Sequence, residues 1–346
     1  MKNKLIIAGP CSAETEEQVM ETLEKIATLG KVNMLRAGIW KPRTRPGSFE
    51  GVGAIGLKWL INAGKKVNLP VITEVANKDH VALALNAGFK NLWIGARTTV
   101  NPFAIQEIAD NLQGRDIDLL LIKNPINPDL QLWIGAIERC KKAGVKNIGV
   151  IHRGFSAFKT NKYRNEPLWE IPLMLKEKFP DIQLICDPSH ICGRRDTLEE
   201  VSQKAMDLEY DGLMIETHRE PDVAWSDAKQ QITPKRLGEM LDHIIMRQKI
   251  STNPESSAKI EVFREQLESM DHQILEILSK RMAVAQKIGE IKKENNITIL
   301  QSERWKLVKD ERLKYGLNIG LTEKFLTRYL NALHQESIRH QTKVMN

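Results

Sequence analysis

The sequence contains few cysteines, and no two of them have the spacing of a metal-binding pair. Four cysteines are spread over 346 residues, which is too few for a disulfide framework in a chain of this length. No CxxC pair is present, so a structural zinc site of the usual kind is excluded. The default expectation for each cysteine is a buried thiol.

Long apolar runs are also missing. No stretch of 18 or more apolar residues is present that could span a bilayer. The apolar part of the N-terminus, "LIIA" at 5–8, ends at Gly9 and Pro10 and is too short for a signal peptide. We therefore expect a cytoplasmic protein that does not contact a membrane.

Aromatic residues are sparse, and basic residues are not concentrated in one region. Aromatics make up 5% of the chain, and 51 basic residues stand against 44 acidic ones. Up to residue 254 there are 35 basic and 31 acidic residues, and after it 16 and 13. Nucleic-acid-binding proteins usually carry a basic patch or stacking aromatics. The even distribution argues against nucleic acid as a partner and favours small anionic substrates.

Eight short runs rich in Val, Ile and Leu alternate with amphipathic helical stretches. The runs are KLIIAGP, NMLRAG, PVITEV, NLWIGA, DLLLIKN, NIGVIHRG, QLICDPSH and GLMIETH. Eight strand and helix pairs in about 250 residues predict an α/β fold, the (β/α)8 TIM barrel. A doubly wound open sheet is the structural alternative, but no GxGxxG follows the first run.

The pattern changes after the barrel. We expect the barrel to span 1–248, a polar, proline-containing linker to span 249–258, and a small all-α helical domain to span 259–346. Apolar residues at helical spacing predict one helix from about 258 to 294, roughly 50 Å long. A helix of this length exceeds the usual globular size and is expected to pack against a second chain. Two further helices are predicted at about 302–315 and 322–342.

Charged and metal-ligating side chains follow the predicted strands, where a TIM barrel places its chemistry. They are Cys11, Arg36, Lys41, Glu74, Arg97, Lys123, His152, Arg153, Asp187, His190, Glu216 and His218. Converging Arg and Lys side chains form a site for phosphate and carboxylate groups. Cys11, His190, Glu216 and Asp227 offer a thiol, an imidazole and two carboxylates, a set that suits a catalytic divalent transition metal.

Five motifs resemble the signature set of the short type (type I beta) of 3-deoxy-D-arabino-heptulosonate 7-phosphate (DAHP) synthase. They are GPCS at 9–12, KPRT at 41–44, GART at 95–98, DPSH at 187–190 and IETH at 215–218. The resemblance implies a TIM barrel enzyme of the shikimate pathway. It condenses phosphoenolpyruvate with erythrose 4-phosphate and requires a divalent metal ion such as Mn²⁺.

The resemblance also implies residue roles in the barrel. The implied metal ligands are Cys11, His190, Glu216 and Asp227. The implied phosphoenolpyruvate ligands are Arg36, Lys41, Arg97, Lys123 and Arg153, with Lys41 also catalytic. Arg43 and Thr44 would hold the phosphate of erythrose 4-phosphate. The octulosonate 8-phosphate synthases share this barrel and donor, but they carry an Asn-containing loop in place of KPRT, which favours the four-carbon aldehyde here.

The segment from Phe263 to Lys292 resembles the first helix of the all-helical chorismate mutases. The resemblance implies that chorismate, which rearranges to prephenate, is bound by Arg264, Arg281, Lys292, Arg304, Ser337 and Gln341. Lys292 and Gln341 would face the breaking ether oxygen as catalytic residues. Many relatives carry acidic residues where this chain has Gln301 and Trp305.

Helix geometry gives an independent expectation for this unit. Arg281 and Lys292 are eleven residues apart, so they share a helix face at a distance of about 16 Å. Arg264 lies about 25 Å from Arg281 along the helix axis. It can reach the same ligand only from another subunit, which predicts an intertwined homodimer.

These features predict a bifunctional synthase and mutase, that is, a transferase and an isomerase. The alternative is the same synthase with a non-catalytic helical domain that dimerises and senses chorismate or prephenate. The chain starts directly at the first barrel strand, so we expect no regulatory domain before it. We therefore expect feedback to enter through the helical domain, with prephenate slowing the barrel reaction.

Overall fold

The computed structural model describes residues 4–41, 47–158 and 162–345. The chain divides into two compact units, Met1–Arg247 and Gln248–Asn346. Among the described residues, no helix is both long and apolar enough to cross a membrane. The cytoplasmic location expected from the sequence stays a prediction.

The first unit is a closed barrel of eight parallel strands that pair in sequential order, which confirms the predicted (β/α)8 fold. The strands are β1 (Leu5–Gly9), β2 (Met34–Arg36), β3 (Val71–Val75), β4 (Asn91–Ile94), β5 (Leu119–Lys123), β6 (Ile148–His152), β7 (Gln183–Cys186) and β8 (Gly212–Glu216). The barrel closes between β1 and β8, where Gly9 pairs with Glu216.

Ten α-helices accompany the strands in the described part of this unit. They are α1 (Glu16–Ala27), α2 (Ile55–Val67), α3 (Lys78–Asn86), α4 (Ala96–Thr99), α5 (Pro102–Leu112), α6 (Leu130–Lys142), α7 (Glu170–Lys178), α8 (Pro188–Cys192), α9 (Leu198–Asp207) and α10 (Pro234–His243). Side-chain caps start several of them: Thr15 accepts from the amide of Gln18, and Thr233 accepts from the amide of Arg236. The short helices α4 and α8 begin directly after β4 and β7, so they lie at the carboxyl rim of the barrel.

The barrel interior changes from apolar to charged along the strands. A buried cluster inside the strands is formed by Ile7, Met34, Ile72, Trp93, Leu119, Leu121, Ile151, Ile185 and Met214. Side chains two positions apart in a strand point to the same face. The next inward positions toward the carboxyl ends therefore include Arg36, Glu74, Lys123 and Glu216. Because side-chain direction alternates along each strand, a layer of charged side chains lies directly above a layer of apolar ones, the apolar floor of the barrel.

In the second unit, residues 248–345 are described and form three helices, α11 (Pro254–Glu294), α12 (Ser302–Asn318) and α13 (Glu323–Met345). The all-helical character predicted for this region is confirmed. Helix α11 begins within the segment that was expected to be a linker. The Asn253 side chain accepts from the amides of Glu255 and Ser256, and Pro254 occupies the first turn, a combination that starts helices well.

Only the C-terminal part of α11 is packed within the unit. Met282 and Ala285 are buried, as are Leu326 and Leu330 of α13. At Gly289 an added Cβ would lie 2.9 Å from the Cα of Gln341, so this glycine allows α13 to approach closely. Residues 258–277 of α11 are all exposed.

Candidate active sites

A cavity of about 270 Å³ lies at the carboxyl ends of the barrel strands. Its charged lining consists of the cations Lys41, Arg97, Lys123, Arg153 and Arg164 and the carboxylates Glu74 and Asp227, with His190 beside them. This excess of cations makes the cavity a receptor for phosphate and carboxylate groups. The sequence indicated four of the five cations, and Arg164 was missed because it follows β6 by 12 residues.

The four predicted metal ligands come together beside this cavity. Donor atoms of Cys11, Glu216 and Asp227 all lie within 4.8 Å of one another. The Nε2 atom of His190 lies 3.7 Å from Oε1 of Glu216. The pairing of β1 with β8 explains why Cys11 lies close to Glu216, because Gly9 and Glu216 are register partners. The backbone of Asp227 has a φ of 46°, in the left-handed region. Residues other than glycine rarely adopt this conformation outside functional sites and turns.

The donor set fits a divalent transition metal. One thiol, one imidazole and two carboxylates combine soft and hard ligands. Oε1 of Glu216 is buried and has no hydrogen-bond partner among the residues that the structure describes, whereas its Oε2 accepts from Nε2 of Gln230 at 2.6 Å. Burial, reinforced by Glu216, raises the pKa of the Cys11 thiol to about 12. Binding of a cation would therefore have to displace the thiol proton.

Two residues behind the ligand group support it. Oδ2 of Asp187 lies 2.8 Å from Nδ1 of His190 and accepts from Nζ of Lys123 at 2.9 Å. Burial raises the pKa of the Asp187 carboxyl, but His190 and Lys123 outweigh it and hold that pKa well below its usual range. A carboxylate behind a metal-binding histidine fixes its ring orientation. The sequence placed Asp187 at a strand end without assigning this function.

Arg36 lies beneath the ligand group. Its side chain is 1% exposed, and it is not among the described residues that line the cavity. Its Nη1 lies 3.3 Å from Oε1 of Glu216, and its Nη2 donates to the carbonyl of Cys11 at 2.9 Å. The structure therefore places Arg36 against two predicted metal ligands, and its expected contact with phosphoenolpyruvate stays a prediction.

The loop after β2 is described only at its edges. Lys41 donates from Nζ to Sγ of Cys11 at 3.0 Å, and its backbone amide donates to the carbonyl of Glu50 at 2.8 Å. Lys41 therefore lies at the border between the ligand group and the cavity. Arg43 and Thr44, the predicted ligands of the aldose phosphate, lie outside the described residues.

His152, which the sequence left without a role, is a buried structural residue. Its Nε2 lies 2.6 Å from the carbonyl of Pro167, and its Nδ1 lies 2.9 Å from the hydroxyl of Tyr210. The carbonyl only accepts, so Nε2 carries the proton and Nδ1 accepts from Tyr210. Burial lowers the pKa of His152 to about 3, so the ring is neutral.

A second cavity of about 410 Å³ lies within the helical unit. Five of the six residues predicted to bind chorismate line it, namely Arg281, Lys292, Arg304, Ser337 and Gln341. Nη1 of Arg281 donates to Oγ of Ser337 at 2.6 Å, and Nζ of Lys292 donates to the carbonyl of Ile299 at 2.7 Å. The sixth residue, Arg264, is exposed and pairs with Glu261 on the same helix.

The lining of this cavity is strongly cationic. Arg312 joins Arg281, Lys292 and Arg304, and no Asp or Glu is among the described lining residues. Trp305 stacks on His334, with ring centroids 3.8 Å apart and planes 3° from parallel. The sequence missed Arg312 and His334, although Arg312 lies two helical turns after Arg304 on the same face. This lining favours a ligand with more than one carboxylate.

Comparisons with known proteins match each of the two units to a family. Residues 2–251 match the DAHP synthetase I family, and residues 263–342 match Chorismate mutase type II. A phospho-2-dehydro-3-deoxyheptonate aldolase of Thermotoga maritima is 31% identical over 239 residues, covering 69% of this chain and 68% of that protein. A 2-dehydro-3-deoxyphosphooctonate aldolase of Francisella tularensis is 26% identical over 266 residues, covering 70% and 93%.

Solved structures show the same relationship. The crystal structure of the DAHP synthase from Thermotoga maritima has a TM-score of 0.62 and 29% identity, covering 70% of this chain and 68% of that one. A truncated form of the enzyme has a TM-score of 0.59 and 27% identity, with coverage of 69% and 84%. DAHP synthases depend on a metal in general. The chain belongs to the DAHP synthetase I family and carries a chorismate mutase type II domain, which makes it a bifunctional enzyme of the shikimate pathway.

Proposed function

We propose that the barrel cavity binds phosphoenolpyruvate and that the Cys11, His190, Glu216 and Asp227 group holds Mn²⁺ or a similar divalent ion. The observation that carries this proposal is the direct contact between the two features. His190 and Asp227 belong to the ligand group and also line the cavity with its five cations. The ion, when bound, would act as a Lewis acid on the aldehyde of erythrose 4-phosphate.

Within this proposal, the cations position the donor substrate. Arg97, Lys123 and Arg153 line the cavity and bind the phosphate and carboxylate of phosphoenolpyruvate, with Arg164 as a fourth contact. Their charges also stabilise negative charge as it develops in the transition state. Arg43 and Thr44 hold the phosphate of the aldose, which places its aldehyde near C3 of phosphoenolpyruvate.

Two further residues handle protons. Carbon C3 of phosphoenolpyruvate bonds to the aldehyde carbon, and Lys41, at the border of the ligand group, donates a proton to the aldehyde oxygen. Water then adds to C2, and phosphate leaves with cleavage of the C–O bond. Among the described residues that line the cavity, Glu74 is the carboxylate that does not belong to the ligand group, so it takes the proton from this water.

The test of the barrel is product formation with and without a chelator. We expect removal of the metal to abolish synthesis of the seven-carbon heptulosonate phosphate and added Mn²⁺ to restore it. Loss of chorismate by the same chain serves as the control, because that rearrangement needs no metal. Unchanged heptulosonate synthesis in chelator would refute the metal assignment. Erythrose 4-phosphate and arabinose 5-phosphate, offered in parallel, distinguish the heptulosonate from the octulosonate synthase.

For the helical unit we propose catalysis rather than sensing alone. The cavity presents four cations to a dicarboxylate, and Lys292 and Gln341 line it together. Chorismate rearranges without a proton shuttle, so the protein needs only to hold a compact conformer and to stabilise charge on the ether oxygen. Lys292 and Gln341 supply hydrogen bonds to that oxygen, and Arg281 holds a carboxylate.

The full chain tests this assignment through the loss of chorismate absorbance. We expect Lys292→Ala to lower kcat about 100-fold or more, the scale for removing one donor to developing charge. Lys287→Ala is the matched control, because Lys287 is an exposed lysine on the same helix. Chorismate binding without turnover above background in the parent chain would instead establish a non-catalytic sensor.

We also propose that α11 pairs with a second copy of the chain. Its N-terminal half carries exposed apolar side chains, among them Phe263, Leu267, Met270 and Ile274. Burial of each large apolar side chain stabilises an interface by roughly 1.5–3 kcal/mol. Such a pairing also brings the partner's copy of Arg264 toward the helical cavity. Sedimentation of the full chain as a monomer at micromolar concentration would refute it.

A further inference from the structure

Trp93 is a fully buried tryptophan between the apolar floor of the barrel and the charged layer above it. It belongs to the cluster inside the strands and is 0% exposed. Its indole Nε1 donates to Oε2 of Glu74 at 2.9 Å, and the two residues are register partners on β3 and β4. The indole therefore fixes one oxygen of a carboxylate that lines the barrel cavity.

The other oxygen of Glu74 occupies space that a side chain at position 95 would take. A Cβ added at Gly95, two residues after Trp93, would lie 2.2 Å from Oε1 of Glu74. No such atom is present, so the carboxylate fills this space. The Glu74 carboxylate thus lies between the indole N–H and the backbone at Gly95.

The ring of Trp93 also lies beside two cations. Cζ of Arg36 lies 4.8 Å and Nζ of Lys123 lies 5.7 Å from ring centroids of this indole. Both distances are within the range of cation–π attraction. Arg36 contacts Glu216, and Lys123 contacts Asp187. One side chain therefore touches three charged residues of the barrel site, although it does not line the cavity itself.

We propose that Trp93 is a positioning residue for the barrel reaction. Its N–H aims the Glu74 carboxylate, and its ring keeps Arg36 in place beneath the cavity and Lys123 in place in the cavity wall. The proposal rests on the proposed function, in which Glu74 takes the proton from the attacking water. Loss of the N–H should act on kcat through Glu74, whereas loss of the ring should also change the KM for phosphoenolpyruvate through Lys123.

The experiment compares three variants of the full chain by steady-state kinetics of heptulosonate formation. Trp93→Phe keeps a ring and removes only the N–H, so kcat should fall about 10- to 100-fold with little change in KM for phosphoenolpyruvate. Trp93→Leu removes the ring as well, so the KM should rise by a further factor of about 3–10. The matched control is Trp133→Phe, because Trp133 is also 0% exposed and donates from Nε1 to the carbonyl of Ile122, but it packs outside the strands.

The outcomes separate this inference from the proposed function. A Trp93→Phe enzyme with the kcat of the Trp133→Phe control would overturn the role of Trp93. Glu74→Gln tests the step on which it rests: full activity in that variant would overturn the role of Glu74 instead. If the Trp93→Phe barrel does not fold, the folded Glu74→Gln variant supplies a second readout. The NMR spectrum of the parent chain contains seven indole N–H resonances, one for each tryptophan. In Glu74→Gln the resonance of Trp93 should shift, and an NMR spectrum identical to that of the parent chain would contradict the hydrogen bond between Trp93 and Glu74.

Discussion

Gly95 offers the sharpest test of how the barrel site depends on the absence of one side chain. Replacement by alanine would place a Cβ 2.2 Å from Oε1 and 2.9 Å from Cδ of Glu74, whereas ordinary contact begins at 3.4 Å. The Glu74 carboxylate must therefore move by about 1 Å. Gly95 precedes α4 with φ −72°, which alanine adopts freely, so backbone strain does not contribute.

The expected loss of activity follows from the hydrogen bond between Trp93 and Glu74, which the displacement of the carboxylate breaks. Oε2 of Glu74 accepts from the Trp93 indole at 2.9 Å, and a hydrogen bond to a charged group contributes about 1.5–3 kcal/mol. If that loss falls on the transition state, kcat decreases about 10- to 100-fold. We expect Gly95→Ala to lower the rate of heptulosonate synthesis by this factor and to leave chorismate turnover unchanged.

Gly135 provides the control for this prediction. It lies inside α6, and a Cβ added there meets nothing within 4 Å. Gly135→Ala should therefore keep full activity and stabilise the helix by about 0.5–1 kcal/mol. The measurement is the steady-state rate of heptulosonate synthesis by Gly95→Ala and Gly135→Ala with Mn²⁺ present. Equal rates for Gly95→Ala and the parent chain would refute the steric reasoning.

Three further predictions follow from other parts of the structure. Arg281→Met should raise the KM for chorismate at least 10-fold, since truncating one partner of a charged contact costs about 1.5–3 kcal/mol, while heptulosonate synthesis stays unchanged; equal KM values would contradict the proposed contact. His152 has a folded pKa of about 3 against 6.5 in the unfolded chain, so its neutral form stabilises the barrel fully above pH 6.5 and the contribution is lost as the pH falls. Between pH 7 and 5 this amounts to about 2 kcal/mol, and urea unfolding of His152→Phe should lack that part of the pH dependence; an identical slope would refute it. Prephenate should slow heptulosonate synthesis in the full chain, and inhibition that persists after deletion of residues 255–346 would exclude the helical unit as its route.

Much of the barrel site was predictable because it depends on strand ends. Each buried run fixes where a strand stops, and a barrel brings all carboxyl ends to one rim. Cys11 and Glu216 need only this rule, together with the motifs, to be placed together. Asp227, 216 residues after Cys11, lies beyond the end of β8 and was placed with them only by the family resemblance. The helical cavity was predictable for a similar reason, because residues 281 and 292 share one face of an uninterrupted helix.

The remaining residues could not be predicted from a linear pattern. Trp93 reads as one more apolar residue of β4, and only the register with β3 shows that its N–H reaches Glu74. Arg164 lies in a loop without periodicity, yet it donates to Oδ1 of Asp227 at 3.0 Å. His334 faces Trp305 across two helices, a contact that depends on how α12 and α13 pack. Each of these contacts is set by tertiary structure rather than by spacing along the chain.

The arrangement of charge beneath the cavity explains how the barrel tolerates so many buried ions. An isolated buried charge costs several kcal/mol, and the cost is offset only where an opposite charge and hydrogen bonds are in place. Arg36 is paired with Glu216, and Lys123 with Asp187, at side-chain exposures of 5% or less. The buried layer is therefore close to neutral. Arg97 and Arg153 line the cavity above this layer and contribute positive charge that the layer does not cancel. The net positive field is therefore concentrated where an anionic substrate would bind rather than within the core.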